Sequence, residues 1–259
     1  MLFNYVIGPA GSGKSTLVKA LYDHITEKYN EISVIILNLD PGAQVVPYNP
    51  HIDIRDYVTL NEVMLKYNLG PNGGLVAATD LMIQSIEDIK FEISEYNDPE
   101  VVLIDTPGHL ELFAFRATGP MMASSLGYGN VQRVTSFLFD PAISRQPNGF
   151  ISTMLLSASV QFRFRDVPQL NILSKIDSVE PEIIERTISW SEDAFKLEDA
   201  TAQRERGLIR EMSQMLVRTF EDLGSLPNLI GVSSETNQGI PEYWGALQRL
   251  TNFDESPFY

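Results

Sequence analysis

Nine consecutive residues, Gly8-Pro9-Ala10-Gly11-Ser12-Gly13-Lys14-Ser15-Thr16, constrain this chain more than any other segment. They follow an apolar run, Leu2–Ile7, and precede a stretch in which Leu17, Leu21 and Ile25 fall four apart, the spacing of one helical face. The pattern G-x-x-x-x-G-K-[ST] between a strand and a helix builds a phosphate-binding loop. Its glycines let backbone N–H groups turn toward one centre, and the positive end of the helix adds to the field there. Gly11, Ser12, Gly13, Lys14, Ser15 and Thr16 are therefore the expected contacts of a polyphosphate. Lys14 reaches the β- and γ-phosphates, and Ser15 offers its hydroxyl to Mg2+, a hard ion that prefers oxygen ligands.

Two further segments carry related chemistry. Val101-Val102-Leu103-Ile104-Asp105-Thr106-Pro107-Gly108 is an apolar run ending in a carboxylate and a turn. In a parallel sheet Asp105 falls at the edge where the phosphate loop opens, placed to bind Mg2+ through water, and the Gly108 N–H is placed to sense a γ-phosphate. Asn171-Ile172-Leu173-Ser174-Lys175-Ile176-Asp177 is again a strand running into a polar edge. A carboxylate there accepts from both N1–H and the exocyclic amine of guanine, whereas adenine offers neither donor, so Asp177 selects guanine. Ser174 lies on the same turn, and the aliphatic stem of Lys175 is long enough to cover a base. Val232 and Ser233, ending the last apolar run, are expected to turn backbone donors toward the guanine carbonyl.

Apolar runs at Leu2–Ile7, Ser33–Leu39, Glu100–Ile104, Arg133–Phe139, Gln169–Leu173 and Asn228–Val232 alternate with helix-length segments. The alternation predicts an α/β P-loop fold, a mainly parallel sheet with helices on both faces. Helices are expected near Leu60–Tyr67, Gly74–Tyr96, Phe150–Phe162 and Arg204–Leu223. No linker divides the chain, which reads as one domain over residues 1–259. A helical elaboration, rich in Asp and Glu, occupies about 178–223, as a solvated helix pair or a partner surface. The 259 residues hold 19 Lys and Arg against 34 Asp and Glu, a net charge of −15 that disfavours direct nucleic-acid binding or an anionic membrane. There is no cysteine, and Met1–Ile7 is too short for a signal core or a membrane span; both suit a cytoplasmic protein. Phe113, Phe115, Met121 and Met122 read as core or as an apolar groove opened by the turn before them.

These motifs, in this order, resemble the GPN-loop GTPases. Besides the three segments above, the likeness rests on Asn38-Leu39-Asp40-Pro41-Gly42, on Asp53-Ile54-Arg55-Asp56 and on Gly70-Pro71-Asn72-Gly73-Gly74. The resemblance implies Mg2+-dependent hydrolysis of GTP to GDP in a homodimer whose shape follows the nucleotide. The loop Gly70-Pro71-Asn72 of one subunit reaches the nucleotide of the other, with Asn72 as a preorganised donor toward developing charge. Similar proteins place the Asp40 carboxylate near Mg2+ and the attacking water, and Asp40, His109 and Glu111 are the candidates to orient that water. The family commonly has glutamine at the place of His109. An imidazole replaces the amide only while neutral, so the rate should vary with pH. No arginine finger is implied; Arg55 acts electrostatically or pairs with a neighbouring aspartate. Eukaryotic relatives are linked to RNA polymerase assembly, which makes a protein client the implied partner. Two other readings share the phosphate loop: a nucleotide or nucleoside kinase, and an assembly factor for which hydrolysis is only a reset.

Overall fold

The computed structural model describes residues 1–127 and 131–251; residues 128–130 and 252–259 of the expected single domain lie outside the described residues. Seven strands form one sheet: β1 (Leu2–Ile7), β2 (Val34–Asn38), β3 (Ile52–Asp53), β4 (Val101–Asp105), β5 (Gln132–Phe139), β6 (Gln169–Leu173) and β7 (Leu229–Gly231). Their order is β3-β2-β4-β1-β5-β6-β7. Every adjacent pair is parallel, so all seven carboxyl ends emerge at one edge. The register sets Asp105 opposite both Val6 and Asn38, which puts the phosphate loop, Asp105 and the chain leaving β2 side by side.

Alternation along the central strand feeds two cores. Phe3, Tyr5 and Ile7 face one layer; Leu2 and Val6 face the other. The second layer is α1 (Lys14–Lys28) and, at the end of the chain, a helix over Ile240–Thr251, which bury Leu17, Leu21, Ile25, Tyr243, Trp244 and Leu247. Inside it a closed ring of hydrogen bonds satisfies three buried polar side chains. Asn4 donates to the Tyr243 hydroxyl (2.8 Å), Tyr243 to Ser136 (2.7 Å) and Ser136 back to Asn4 (2.7 Å).

The other face carries α2 (Leu60–Tyr67), α3 (Pro71–Leu81), a 3-10 turn at Met82–Ser85, α4 (Ile86–Glu95), α5 (Leu110–Phe113), α6 (Thr118–Leu126), α7 (Pro141–Ser144) and α8 (Pro147–Arg163). The elaboration is three helices rather than a pair: α9 (Pro181–Glu192), α10 (Ala194–Arg204) and α11 (Gly207–Asp222), with the final helix as α12. Trp190, Leu197 and Val217 tie them into the main core. Phe113 and Met122 are core residues, whereas Phe115 and Met121 are exposed. Among the described residues no helix is long and apolar enough to cross a membrane.

Two further sequence expectations change. The helix expected over Gly74–Tyr96 begins at Pro71 and is broken by the 3-10 turn at Met82–Ser85. Gly70 caps it in extended geometry, and Pro71 takes the first helical position, where a missing N–H costs nothing. Gly70-Pro71-Asn72 is therefore the start of a helix and not a free loop.

Candidate functional site

The loop after β1 is held open by its glycines. Gly11 and Gly13 adopt φ of +75° and +95°, left-handed values that strain any residue with a Cβ. A Cβ on Gly13 would also lie 3.3 Å from Thr16 Oγ1 and 3.5 Å from Lys175 Cε. Thr16 Oγ1 donates to the Gly13 carbonyl (2.8 Å), tightening the first turn of α1. Lys14 folds back over the loop, its Nζ donating to the carbonyls of Gly8 and Pro9 at 3.0 Å each. Burial pushes the pKa of Lys14 down, with Asp105 and Asp40 pulling it the other way. Ser12 is buried, and its Oγ has no hydrogen-bond partner.

Asp105 lies directly beneath, 2 % exposed. Burial pushes its carboxyl pKa up, against the Ser15 and Tyr48 hydroxyls and Lys14, which favour the charge. Its Oδ2 accepts a 2.6 Å bond from the Tyr48 hydroxyl, while its Oδ1 is buried without a partner. Asp40 sits two residues beyond β2. Its Oδ1 accepts from the Gly42 N–H (2.9 Å) and its Oδ2 from the Gly108 N–H (3.1 Å), tying the chain that leaves β2 to the turn that follows its neighbour β4. An unpartnered buried carboxylate oxygen, the Ser15 hydroxyl and Asp40 form an all-oxygen donor set, and they fit a small hard divalent cation.

A cleft of about 490 Å³ runs over these groups, lined at one end by Gly11–Thr16 without Ser12 and by Asp40, Thr106 and Gly108. At the other end lie Ser174, Lys175, Asp177 and Ser178. Ser174 Oγ donates to the Ser12 carbonyl (2.8 Å), fastening the β6 edge to the phosphate loop. Lys175, at φ +53°, spans the loop, donating to the Gly11 carbonyl and to Asp140 Oδ2 (2.8 Å). Asp177 is exposed in a 3-10 turn at Ile176–Ser178 and faces the cleft.

The donors expected beside it are corrected. The Val232 N–H is spent on the Leu173 carbonyl (2.8 Å) and the Ser233 N–H on the Gln238 carbonyl (2.9 Å). Both residues are buried, and Ser234 and Glu235 line the cleft in their place. The pairing with β6 runs on through the Val232 N–H, beyond the end of β7, so the positions that reach the cleft lie two residues further along the chain.

Pro71 and Asn72 line a smaller recess of about 250 Å³ with Asp40, Gly42, Leu60, Leu75, Gly108 and His109 of their own chain. His109 Nδ1 and Glu111 Oε1 are 3.1 Å apart on the rim, both half exposed. The backbone at Glu111 and then His109 hold the Glu111 carboxyl below its usual range. Arg55 is an ion-pair residue: it grips Asp53 with Nε and Nη2 and donates from Nη1 to the Ala43 carbonyl (2.9 Å). Asn38 donates to the same aspartate (3.0 Å), so Arg55 braces the chain between β2 and β3. Motif reading missed the cleft-lining Ser178, Ser234 and Glu235 and, behind them, Tyr48 and Asp140. Tyr48 and Asp140 belong to no phosphate or base motif; only the fold brings them to Asp105 and Lys175.

A family model described as a conserved hypothetical ATP-binding protein matches residues 6–253. GPN-loop GTPase 3 of Yarrowia lipolytica is 31 % identical over 228 residues, covering 85 % of this chain and 80 % of that protein. This chain belongs to the GPN-loop GTPase family. GPN-loop GTPase 1 of Dictyostelium discoideum is 32 % identical over 241 residues, 92 % of this chain but 59 % of that longer relative. Among solved structures, a GTPase from Pyrococcus abyssi in apo form superposes with a TM-score of 0.82 at 25 % identity, over 96 % of both chains. Membership and a shared P-loop α/β architecture agree with the motifs that first pointed to the family.

Proposed function

We propose that this chain hydrolyses GTP to GDP and phosphate. The observation that carries the reading is the single cleft with a phosphate loop at one end and an exposed carboxylate, Asp177, at the other. Relatives are called GTPases although the family model's description says ATP. Asp177 favours the first: its two oxygens accept the two donors that guanine presents and adenine lacks. Gly11, Gly13, Ser15 and Thr16 receive the phosphates on backbone amides, and Lys14 leaves the Gly8 and Pro9 carbonyls for the terminal phosphates. Ser15, Asp40 and Asp105 would hold Mg2+, which when bound would supply positive charge against the phosphoryl oxygens. Asp40, His109 and Glu111 orient the attacking water. The Gly108 N–H exchanges its bond to Asp40 for one to the γ-phosphate, which gives the nucleotide state a mechanical reading.

The working form in this proposal is a homodimer in which Asn72 of each subunit faces the phosphates of the other. Gly70, Pro71 and Asn72 are exposed, the last two at the recess they share with Asp40 and His109, which supports a tripeptide open to a second subunit. A client-assembly role in the cytoplasm is consistent with exposed Leu208, Met212 and Met215 along α11. The kinase reading lacks support: α9–α11 join the core beside α8 and β7 and bring no basic lid over the loop.

Mixing Lys14→Ala and Asn72→Ala proteins tests the arrangement. Donation between subunits restores about a quarter of native phosphate release, since half the dimers are mixed and each has one intact site. Donation within a subunit restores none. Phosphate released from GTP without an added acceptor supports hydrolysis; transfer to a nucleoside acceptor refutes it.

A further inference from the structure

We infer that Tyr48 is a positioning residue for the divalent cation, orienting Asp105 and coupling the segment between β2 and β3 to metal binding. The inference rests on the nucleotide reading above. Asp105 enters the site with its two oxygens in different states. Oδ2 is capped by the Tyr48 hydroxyl at 2.6 Å, and Oδ1 is buried with no partner. A short hydrogen bond to one oxygen fixes the carboxylate plane and leaves the second oxygen's lone pairs directed away from Tyr48. That free oxygen belongs to the same donor set as the Ser15 hydroxyl and Asp40.

Tyr48 is held for this task from the outside. It stands between Pro47 and Pro50 in Pro47-Tyr48-Asn49-Pro50, where two fixed φ angles limit how far the segment swings. The same segment borders a second cleft, of about 650 Å³, with Tyr22, His51 and Tyr96. His51 is anchored on β2 through the Ile36 N–H (3.1 Å) and accepts at its carbonyl from the Tyr96 hydroxyl (2.9 Å). Tyr48 is thus the one described side chain that hydrogen-bonds Asp105 from a segment outside the phosphate loop and its edge motifs. Movement of the metal-facing carboxylate and movement of this segment are mechanically the same event.

The test uses GDP and Mg2+ with the full chain. Tyr48→Phe keeps the ring and removes the hydroxyl. The magnesium concentration for half-maximal tightening of GDP binding should rise about tenfold, the size expected for a lost hydrogen bond to a charged group, while GDP affinity in EDTA stays within twofold. A purely structural role would lower both together or shift only the melting temperature, and either result overturns the inference. Hydrogen exchange on the native chain gives an independent reading if the variant does not fold. The amides of Val46, Tyr48 and Asn49 should exchange more slowly with Mg2+ and GDP than with GDP alone; equal rates overturn the inference. A native chain that binds no GDP at all refutes the nucleotide reading itself, a result distinct from either.

Discussion

Lys175 crosses the phosphate loop, and Asp140 decides whether it stays there. Asp140 does two jobs: Oδ1 accepts the Ala142 N–H (2.8 Å) and caps α7, while Oδ2 holds Lys175 Nζ at 2.8 Å. Asp140→Asn preserves the first through its carbonyl and replaces the second with an amide or an uncharged acceptor. At 2.8 Å the Coulomb attraction in a water-like dielectric is about 1.5 kcal/mol. The pair is partly solvated, with side-chain exposures of 39 % and 13 %, so it lies between exposed pairs at about 0.2–1 kcal/mol and charge-assisted bonds at about 1.5–3 kcal/mol. A loss of about 1.4 kcal/mol is a factor of about ten. The Lys175 stem also lies 3.5 Å from the place a Gly13 Cβ would take, so a freed lysine uncovers the nucleotide end of the loop. Release of a fluorescent GDP analogue, followed by stopped flow, should accelerate about tenfold, with little change in melting temperature. Asp140→Ala should add the loss of the cap, about 1 kcal/mol of stability. A release rate for Asp140→Asn within twofold of the native rate would refute the clamp.

Two further outcomes follow from buried titrating groups. Burial raises the Asp105 pKa, so the free chain pays for that charge and gains stability as pH falls toward the raised value. Asp105→Asn should melt at the same temperature or higher than the native chain at pH 7.5 while Mg2+ no longer tightens GDP binding; a clear drop in melting temperature would show that the charge is stabilising through Lys14. Burial lowers the His51 pKa, and its Nδ1 must stay unprotonated to accept the Ile36 N–H. Its contribution is therefore complete above the unfolded value near 6.5 and lost as pH falls through the lower folded value, costing about 1 kcal/mol. The melting-temperature advantage of the native chain over His51→Gln should shrink by about 2 °C between pH 8 and pH 5; an unchanged gap contradicts the assignment.

The phosphate end of the site was legible because its chemistry is local. Gly8–Thr16 carries its own turn, donors and helix start, and Asp105 and Asp177 each close an apolar run whose direction the parallel sheet fixes. Six of the seven strands announce themselves in the same way. β3 is two residues long and is held by Asn38 with Asp53 and by His51 with Ile36, contacts invisible as a pattern. α6 carries Gly119-Pro120 and small residues and offers no apolar stripe to read. The helical start at Pro71 was open to inference, since proline favours the first helical position, but glycines on both sides suggest a loop more strongly. Val232 and Ser233 give way to Ser234 and Glu235, two residues on, because a strand's last hydrogen bond is decided by its neighbour. Tyr48 and Asp140 act across the fold, and no spacing along the chain links them to the residues they hold.

The most direct measurement is a calorimetric titration of the native chain and Asp177→Asn with GDP, ADP and xanthosine diphosphate in Mg2+. Xanthine keeps N1–H but carries an acceptor where guanine has its amine, a match for the amide of asparagine. The native chain should bind GDP well over tenfold more tightly than ADP, and Asp177→Asn should lose GDP affinity and gain xanthosine diphosphate. Equal binding of GDP and ADP by the native chain, or an unaltered GDP preference in the variant, would contradict the assignment of this cleft to a guanine nucleotide.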